Sequence, residues 1–249
     1  MKPKNTILLL GLITAIFSCA DRKEGEQKNT LLSNFISITE NEDKGVKEIL
    51  EFYGGQCKYA IGVTASTVEV KSKYFELEMS QSEAIESYSK IAQMPASNVA
   101  FLFYKNLKSE KNNYDEIHTV LKFNDGEEMT FKYPIEQLEL VAERIPAVEK
   151  IVELIRSKQF QEIKTFLNDS SVFQYDKNAV VANMKDMDPQ FGEVKEFIPY
   201  GFRINEDENG KSFLHISGVI IRDKQSHEFS ADFDLERPKD ELFKLEYKL

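Results

Sequence analysis

The stretch "HEFSADFDLE" (227–236), followed by "LFKLEYKL" (242–249), decides the fold class at the C-terminal end. In the first, Phe229, Ala231, Phe233 and Leu235 alternate with Glu228, Ser230, Asp232, Asp234 and Glu236. In the second, Phe243, Leu245, Tyr247 and Leu249 alternate with Lys244, Glu246 and Lys248. Successive strand side chains point to opposite faces, so this period of two predicts half-buried strands with one wet face. Upstream, "VKEFIPYGFRI" (194–204) and "KSFLHISGVIIR" (211–222) read as two more strands. The short connections predict a four-stranded antiparallel meander. Its apolar face needs a cover, and the helices read just before it are at hand. These are "AVEKIVELIRSK" (147–158), with Val148, Ile151, Val152 and Ile155 on one side, and the short "NAVVANMK" (178–185). Pro146 fits the first turn of the former, so the helical stretch 134–168 is expected to break there.

Helices first and a curved antiparallel sheet afterwards, over residues 145–249, resembles the cystatin-like, nuclear-transport-factor-2-like superfamily. Gly192 in "QFGEVKEF" stands near the first sheet strand, where a glycine recurs in that superfamily. The resemblance spans roughly 40% of the chain and is one of topology. It implies either a ligand-binding or assembly module, or an enzyme with an Asp or His inside the sheet cone. His215 is the candidate for that position, sharing its face with Phe213 and Ser217. Alternation sends Asp232 and Asp234 to the wet face, so a carboxylate partner for His215 would come from another element.

The preceding hundred residues read as a second mixed unit. "GVKEILEFYGG" (45–55) places Val46, Ile49, Leu50 and Tyr53 on one helical face, with Gly54 as a left-handed stop. "CKYAIGV" (57–63) and "KYFELEM" (73–79) read as strands, the latter turning Phe75, Leu77 and Met79 inward. Ser80 with Glu83 predicts a capping box for a helix over 81–94 that stops before Pro95. "NVAFLFY" (98–104) is apolar almost throughout and reads as a central strand. "EIHTVLKF" (116–123) and "MTFKY" (129–133) flank Asn124-Asp125-Gly126, a hairpin signal.

At the other end, Lys2 and Lys4 precede "TILLLGLITAIF" (6–17), an apolar run of twelve. Twelve residues are too few to span a bilayer as a helix and suit the core of a secretory signal. Ile16, Phe17 and Ser18 then lead into Cys19, which resembles the lipobox of bacterial lipoproteins. That resemblance implies cleavage before Cys19 and a diacylglycerol thioether, with palmitate-type acyl chains, on its sulfur. Each buried CH2 contributes about 0.8 kcal/mol, so two or three chains hold a protein to a membrane durably. The polar stretch "ADRKEGEQKNTLLSNFISITENE" (20–42) reads as a tether. Cys57 is then left without a disulfide partner and is expected to be a buried, inert thiol.

Composition excludes several function classes. The formal charge of −10 becomes −12 once Lys2 and Lys4 leave with the signal, and no run of five basic residues exists. Nucleic acid is therefore not an expected partner. His118, His215 and His227 are spaced too far apart for a zinc framework. "NEDENG" (205–210) imitates the start of a calcium loop, but its twelfth position is Ile216 rather than a bidentate Glu. No phosphate-binding glycine loop and no Gly-x-Ser-x-Gly elbow occur. No cofactor is expected.

The sequence thus predicts an α+β protein of two mixed domains. Residues 1–18 are a signal peptide and 19–43 a lipidated cysteine with its tether. Residues 44–142 form one α+β domain and 143–249 a cystatin-like, nuclear-transport-factor-2-like one. The expected role is non-enzymatic binding or assembly at the bacterial cell envelope, held to the membrane by lipid, with an envelope protein or small ligand as partner. The alternative is an envelope enzyme or ligand carrier using a cone-shaped pocket around His215, Phe213 and Ser217.

Overall fold

A computed structural model describes residues 37–64, 71–168, 176–207 and 210–247. The expected signal, Cys19 and most of the tether lie outside these residues. The fold is α+β, with two four-stranded sheets in the orders β1-β2-β3-β4 and β5-β6-β7-β8. Among the described residues, no helix is long and apolar enough to cross a membrane.

Helix α1 (Glu40–Tyr53) begins with a capping box: Thr39 accepts from the Glu42 amide, and the Glu42 carboxylate accepts from the Thr39 amide. Val46, Ile49 and Tyr53 are buried and Gly54 closes the helix at φ +63°, as the sequence predicts. Strand β1 (Gln56–Thr64) pairs antiparallel with β2 (Ser72–Ser80), and β2 pairs parallel with β3 (Glu116–Lys122). A parallel pair needs a long crossover. It carries the short α2 (Glu83–Glu86), a 3-10 turn at Ser89–Ile91, and α3 (Gln93–Leu107).

The strand expected at "NVAFLFY" is therefore the middle of α3. Val99, Ala100, Phe101, Leu102, Phe103 and Tyr104 are all buried, because α3 is enclosed by α1, the first sheet and β5. A helix buried on every side loses its amphipathic period and reads like a central strand. The helix expected over 81–94 is likewise corrected. Ser80 ends β2, and the cap is Ser82, whose hydroxyl accepts from the Ile85 amide and donates to the Tyr53 carbonyl at 2.6 Å. Pro95 does not stop a helix but sits in the first turn of α3, where no intrahelical acceptor awaits its missing N–H.

Strand β4 (Glu128–Pro134) returns antiparallel to β3 through a turn with Gly126 at φ +90°. It leads into α4 (Ile135–Arg156), one continuous helix with Pro146 inside it, so the expected break does not occur. A proline inside a helix costs about 3 kcal/mol. Burial of Leu138 and Val141 before it and of Val148, Ile151, Val152 and Ile155 after it holds both halves in line. Residue 143, the expected domain boundary, lies within this helix. A 3-10 stretch at Phe160–Phe166 and α5 (Lys177–Phe191) complete the cover.

Strands β5 (Val194–Glu206), β6 (Ser212–Arg222), β7 (His227–Asp234) and β8 (Leu242–Tyr247) form the antiparallel meander that alternation predicts. Leu214, Ile216, Ile220, Phe229, Ala231, Phe233 and Leu242 fill its inner face. The free edge of β5 is covered by α3. There the Phe202 amide donates to Ser97 Oγ at 2.8 Å, and the Ser97 hydroxyl donates to the Met94 carbonyl at 2.8 Å. A Cβ at Gly201 would stand 2.5 Å from that same carbonyl, so only glycine lets the strand come this close.

Candidate functional site

The residues that the sequence places together on one face, Phe213, His215 and Ser217, do share a face of β6. It is the face turned away from the covering helices, because Leu214 and Ile216 between them point into the core. The inner side of the sheet is occupied by Phe229 and Phe233, which are fully buried. A polar row crosses the outer face in register: Arg203 on β5 lies opposite His215 on β6, His215 opposite Asp232 on β7, and Asp232 opposite Lys244 on β8. The carboxylate for His215 thus comes from the wet face itself, since that face and the His215 face are the same. The carboxylate does come from another strand, β7; what is corrected is the expectation that sets Asp232 on a face apart from His215.

His215 Nδ1 stands 2.5 Å from Asp232 Oδ1, and Ser217 Oγ stands 2.7 Å from His215 Nε2. A carboxylate accepts only, so Nδ1 carries the proton donated to Asp232. With the ring neutral, Nε2 then accepts from the Ser217 hydroxyl. The order Ser–His–Asp is the one that activates a serine nucleophile in acyl transfer. Two features oppose that use. Ser217 lies mid-strand, paired on both sides with Gly201 and Ser230, so nearby amide N–H groups lie in the sheet plane while Oγ stands off it. They do not converge on an oxyanion beside Oγ. Ser217 is also only 6% exposed. The Tyr200 hydroxyl engages Ser217 and Glu228, and burial, with the nearby Glu228 charge, pushes its pKa up to about 12. The recess left among Tyr200, Ser217, Ser230 and Glu246 measures about 40 Å³, room for a water rather than a substrate.

Beyond His215 the face opens into a cleft of about 520 Å³, within the range of small-molecule sites. Arg203 and Asn205 form one wall, and Phe213 packs against Phe243 with ring centroids 4.6 Å apart. Alternation alone would turn Phe243 inward. The register steps from Asp232↔Lys244 to Phe233↔Leu242, so Phe243 is the unpaired extra residue and swings to the outer face. Lys244 is held by Glu246, which also accepts from Ser230 at 3.4 Å. Arg203, Asp232, Phe243 and Lys244 are site residues that sequence reasoning missed. Alternation marks three of them as outward, but only strand register joins them.

The remaining histidines are structural. His118 on β3 stands 2.7 Å from Glu116 Oε2 and stacks under Tyr74 at 4.0 Å. Burial lowers its pKa, against an opposing pull from Glu116. His227 donates from Nδ1 to the Glu228 carbonyl at 3.0 Å and accepts at Nε2 from Arg222 Nε at 3.2 Å; burial lowers its pKa too. Arg222 is a buried hub. It also donates to Asp188 on α5 at 2.8 Å, to the Gly192 carbonyl at 2.6 Å and to the Tyr247 hydroxyl at 2.5 Å, while Lys158 donates to the other Asp188 oxygen at 2.6 Å.

Cys57 packs half-buried against the core edge, and burial pushes its thiol pKa up to about 12, far from a reactive thiolate. At the calcium-like stretch, Asp207 Oδ1 accepts from the Lys211 amide at 2.9 Å, and Ile216 is buried in the core. Among the described residues, no three His, Cys, Asp or Glu side chains gather as a metal site. Comparison with protein-family models, with curated proteins and with solved structures finds no match to this chain.

Proposed function

We propose that this protein is a lipid-anchored lipoprotein of the bacterial cell envelope that acts by binding, through the cleft on the outer face of β5–β8. The observation that carries the binding half is the contrast within that face. The cleft beside His215 is open and holds about 520 Å³, whereas the hydroxyl that His215 contacts, on Ser217, is shut beneath Tyr200. The envelope half is supported by the positive start, the short apolar run and the Ile16-Phe17-Ser18-Cys19 sequence. The C-terminal cover of helices on a meander also suits a superfamily widely used for binding modules.

A second reading, a serine hydrolase, is favoured by the Ser217–His215–Asp232 chain of contacts. One experiment separates the two. The full chain, in detergent micelles, is treated with a fluorophosphonate probe and assayed for turnover of p-nitrophenyl acetate. Binding without catalysis predicts no labelling of Ser217 and turnover unchanged by Ser217→Ala. Stoichiometric labelling of Ser217 overturns it. For anchoring, the wild-type chain is expected in the membrane fraction and the Cys19→Ala variant as unprocessed precursor. Identical processing and acylation in the two overturn the anchor.

A further inference from the structure

Resting on that binding reading, we infer that the cleft of β5–β8 takes a small carboxylate bearing an aromatic ring, its carboxylate on Arg203 and its ring on Phe213. The inference follows from which polar groups in the cleft are already satisfied. Both ring nitrogens of His215 are engaged, by Asp232 and Ser217, and Asp232 is engaged in return. Lys244 and Glu246 neutralise one another, and Asp207 is tied into its own turn by the Lys211 amide. Arg203 differs: it is exposed and makes no hydrogen bond or ion pair among the described residues. Among the described residues it is the cleft's unspent cation, and a guanidinium presents a planar fork of donors matched to a carboxylate.

The spacing decides the rest of the ligand. Arg203 lies opposite His215, and Phe213 is two residues before His215 on the same face. Diagonal neighbours in a sheet stand about 7–8 Å apart, the length of a carboxylate joined through one or two carbons to a phenyl ring. Phe213 and Phe243, tilted at 42°, offer that ring an aromatic surface; the Lys211 ammonium, paired with Asp234, stands 5.6 Å from the Phe213 centroid and leaves the rest of the ring pair open to the ligand. An offset or edge-on aromatic contact adds about 0.5–1.5 kcal/mol beyond burial. An ammonium ligand of the same shape would face the uncompensated Arg203. The other charge in the cleft without a described partner is Glu206, at the hairpin rim, and it opposes the carboxylate. Glu206→Gln therefore tightens binding.

The test is calorimetric titration of the full chain in detergent micelles with 3-phenylpropionate, 3-phenylpropionamide and phenethylamine. The expected result is saturable one-to-one binding of the acid, about tenfold or more tighter than the amide, with the amine weakest. Arg203→Gln is expected to erase the preference for acid over amide, Arg203→Lys to keep part of it, and Phe213→Leu to weaken both ligands. Arg203 is exposed, so thermal midpoints of its variants should match the wild type. Equal binding of acid and amide, tighter binding of the amine, an unchanged preference in Arg203→Gln, or no binding of the acid at millimolar concentration each overturn the inference. The same chain is assayed with p-nitrophenyl 3-phenylpropionate. Turnover that vanishes in Ser217→Ala overturns the binding reading itself, whereas a ligand neither bound nor cleaved overturns only the ligand class.

Discussion

Each sheet carries a histidine at the middle of its outer face with a carboxylate in contact, and the two outcomes differ. On the first sheet, His118 is sealed, with Glu116 half-buried beside it. Tyr74 lies across Gly62 and stacks on the imidazole, and Glu78 joins Lys58 at 3.5 Å to Lys122 at 2.9 Å. That lattice leaves His118 only 3% exposed on a face that no helix covers among the described residues. On the second sheet, His215 and Asp232 border an open cleft: their row ends in Arg203, which has no partner among the described residues, and the bulge turns Phe243 out beside it. The chemistry of a histidine–carboxylate pair does not make a site. What the neighbouring strands lay over it does.

The two halves also differ in what holds the helices to the sheet, and the largest expected effect tests this. The second sheet is clamped to α5 through the buried Arg222, whereas the first packs on α1 and α3 with apolar side chains. Arg222→Ala leaves Asp188 Oδ1 and His227 Nε2 without their donor, with Lys158 still holding Asp188 Oδ2. It should cost about 3–5 kcal/mol, read from urea unfolding. A loss below about 1 kcal/mol would show that Lys158 alone suffices for Asp188. Next, Gly62→Ala strikes the seal of the first sheet. The new Cβ would stand 2.3 Å from the Tyr74 ring, so the ring must leave, at about 1–3 kcal/mol. The His118 titration, followed by NMR, should move up toward the ordinary value near 6.5. An unmoved titration would mean that Tyr74 is not the seal.

Smaller effects sharpen the contrast. Asp232→Asn should cost about 1 kcal/mol, because the amide still offers an oxygen to His215 Nδ1. The wild-type Nδ1–H form should persist in 15N spectra, and a ring protonated at Nε2 alone would contradict donation from Nδ1 to Asp232. Acid has a more modest effect. His118 and His227 are held neutral by burial, so the unfolded chain binds more protons as pH falls below about 6.5 toward their lowered folded values. The stability they contribute is complete above that pH and lost on acidification through this window. The drop in thermal midpoint between about pH 7 and about pH 5 should shrink in His118→Gln/His227→Gln relative to wild type. Equal drops would refute it. Last, Cys57 should react with a disulfide reagent at pH 8 at least about a hundredfold more slowly than a free thiol, because little thiolate forms. Full-speed reaction would place it at the surface.

The elements legible in the sequence are those whose pattern is intact within one segment. The alternation of β7, the capped face of α1, the Asn-Asp-Gly turn and the shared face of Phe213, His215 and Ser217 need no knowledge of neighbours. The misread elements each depended on a distant partner. "NVAFLFY" hides a helix because α3 is enclosed on all sides, and Pro146 stays within α4 because buried side chains bracket it. The candidate site was half legible for the same reason: period two groups residues on one strand, but does not say which residue of the next strand stands opposite.

The sequence by itself determined the α+β class, the C-terminal meander and the face on which His215 stands, since these follow from local periodicity. Only the tertiary structure decided that Asp232 and Arg203 flank His215, that Phe243 joins Phe213 through a bulge, and that Tyr200 closes over Ser217. Register and cover are set by contacts between segments far apart in the chain, and no single segment carries them.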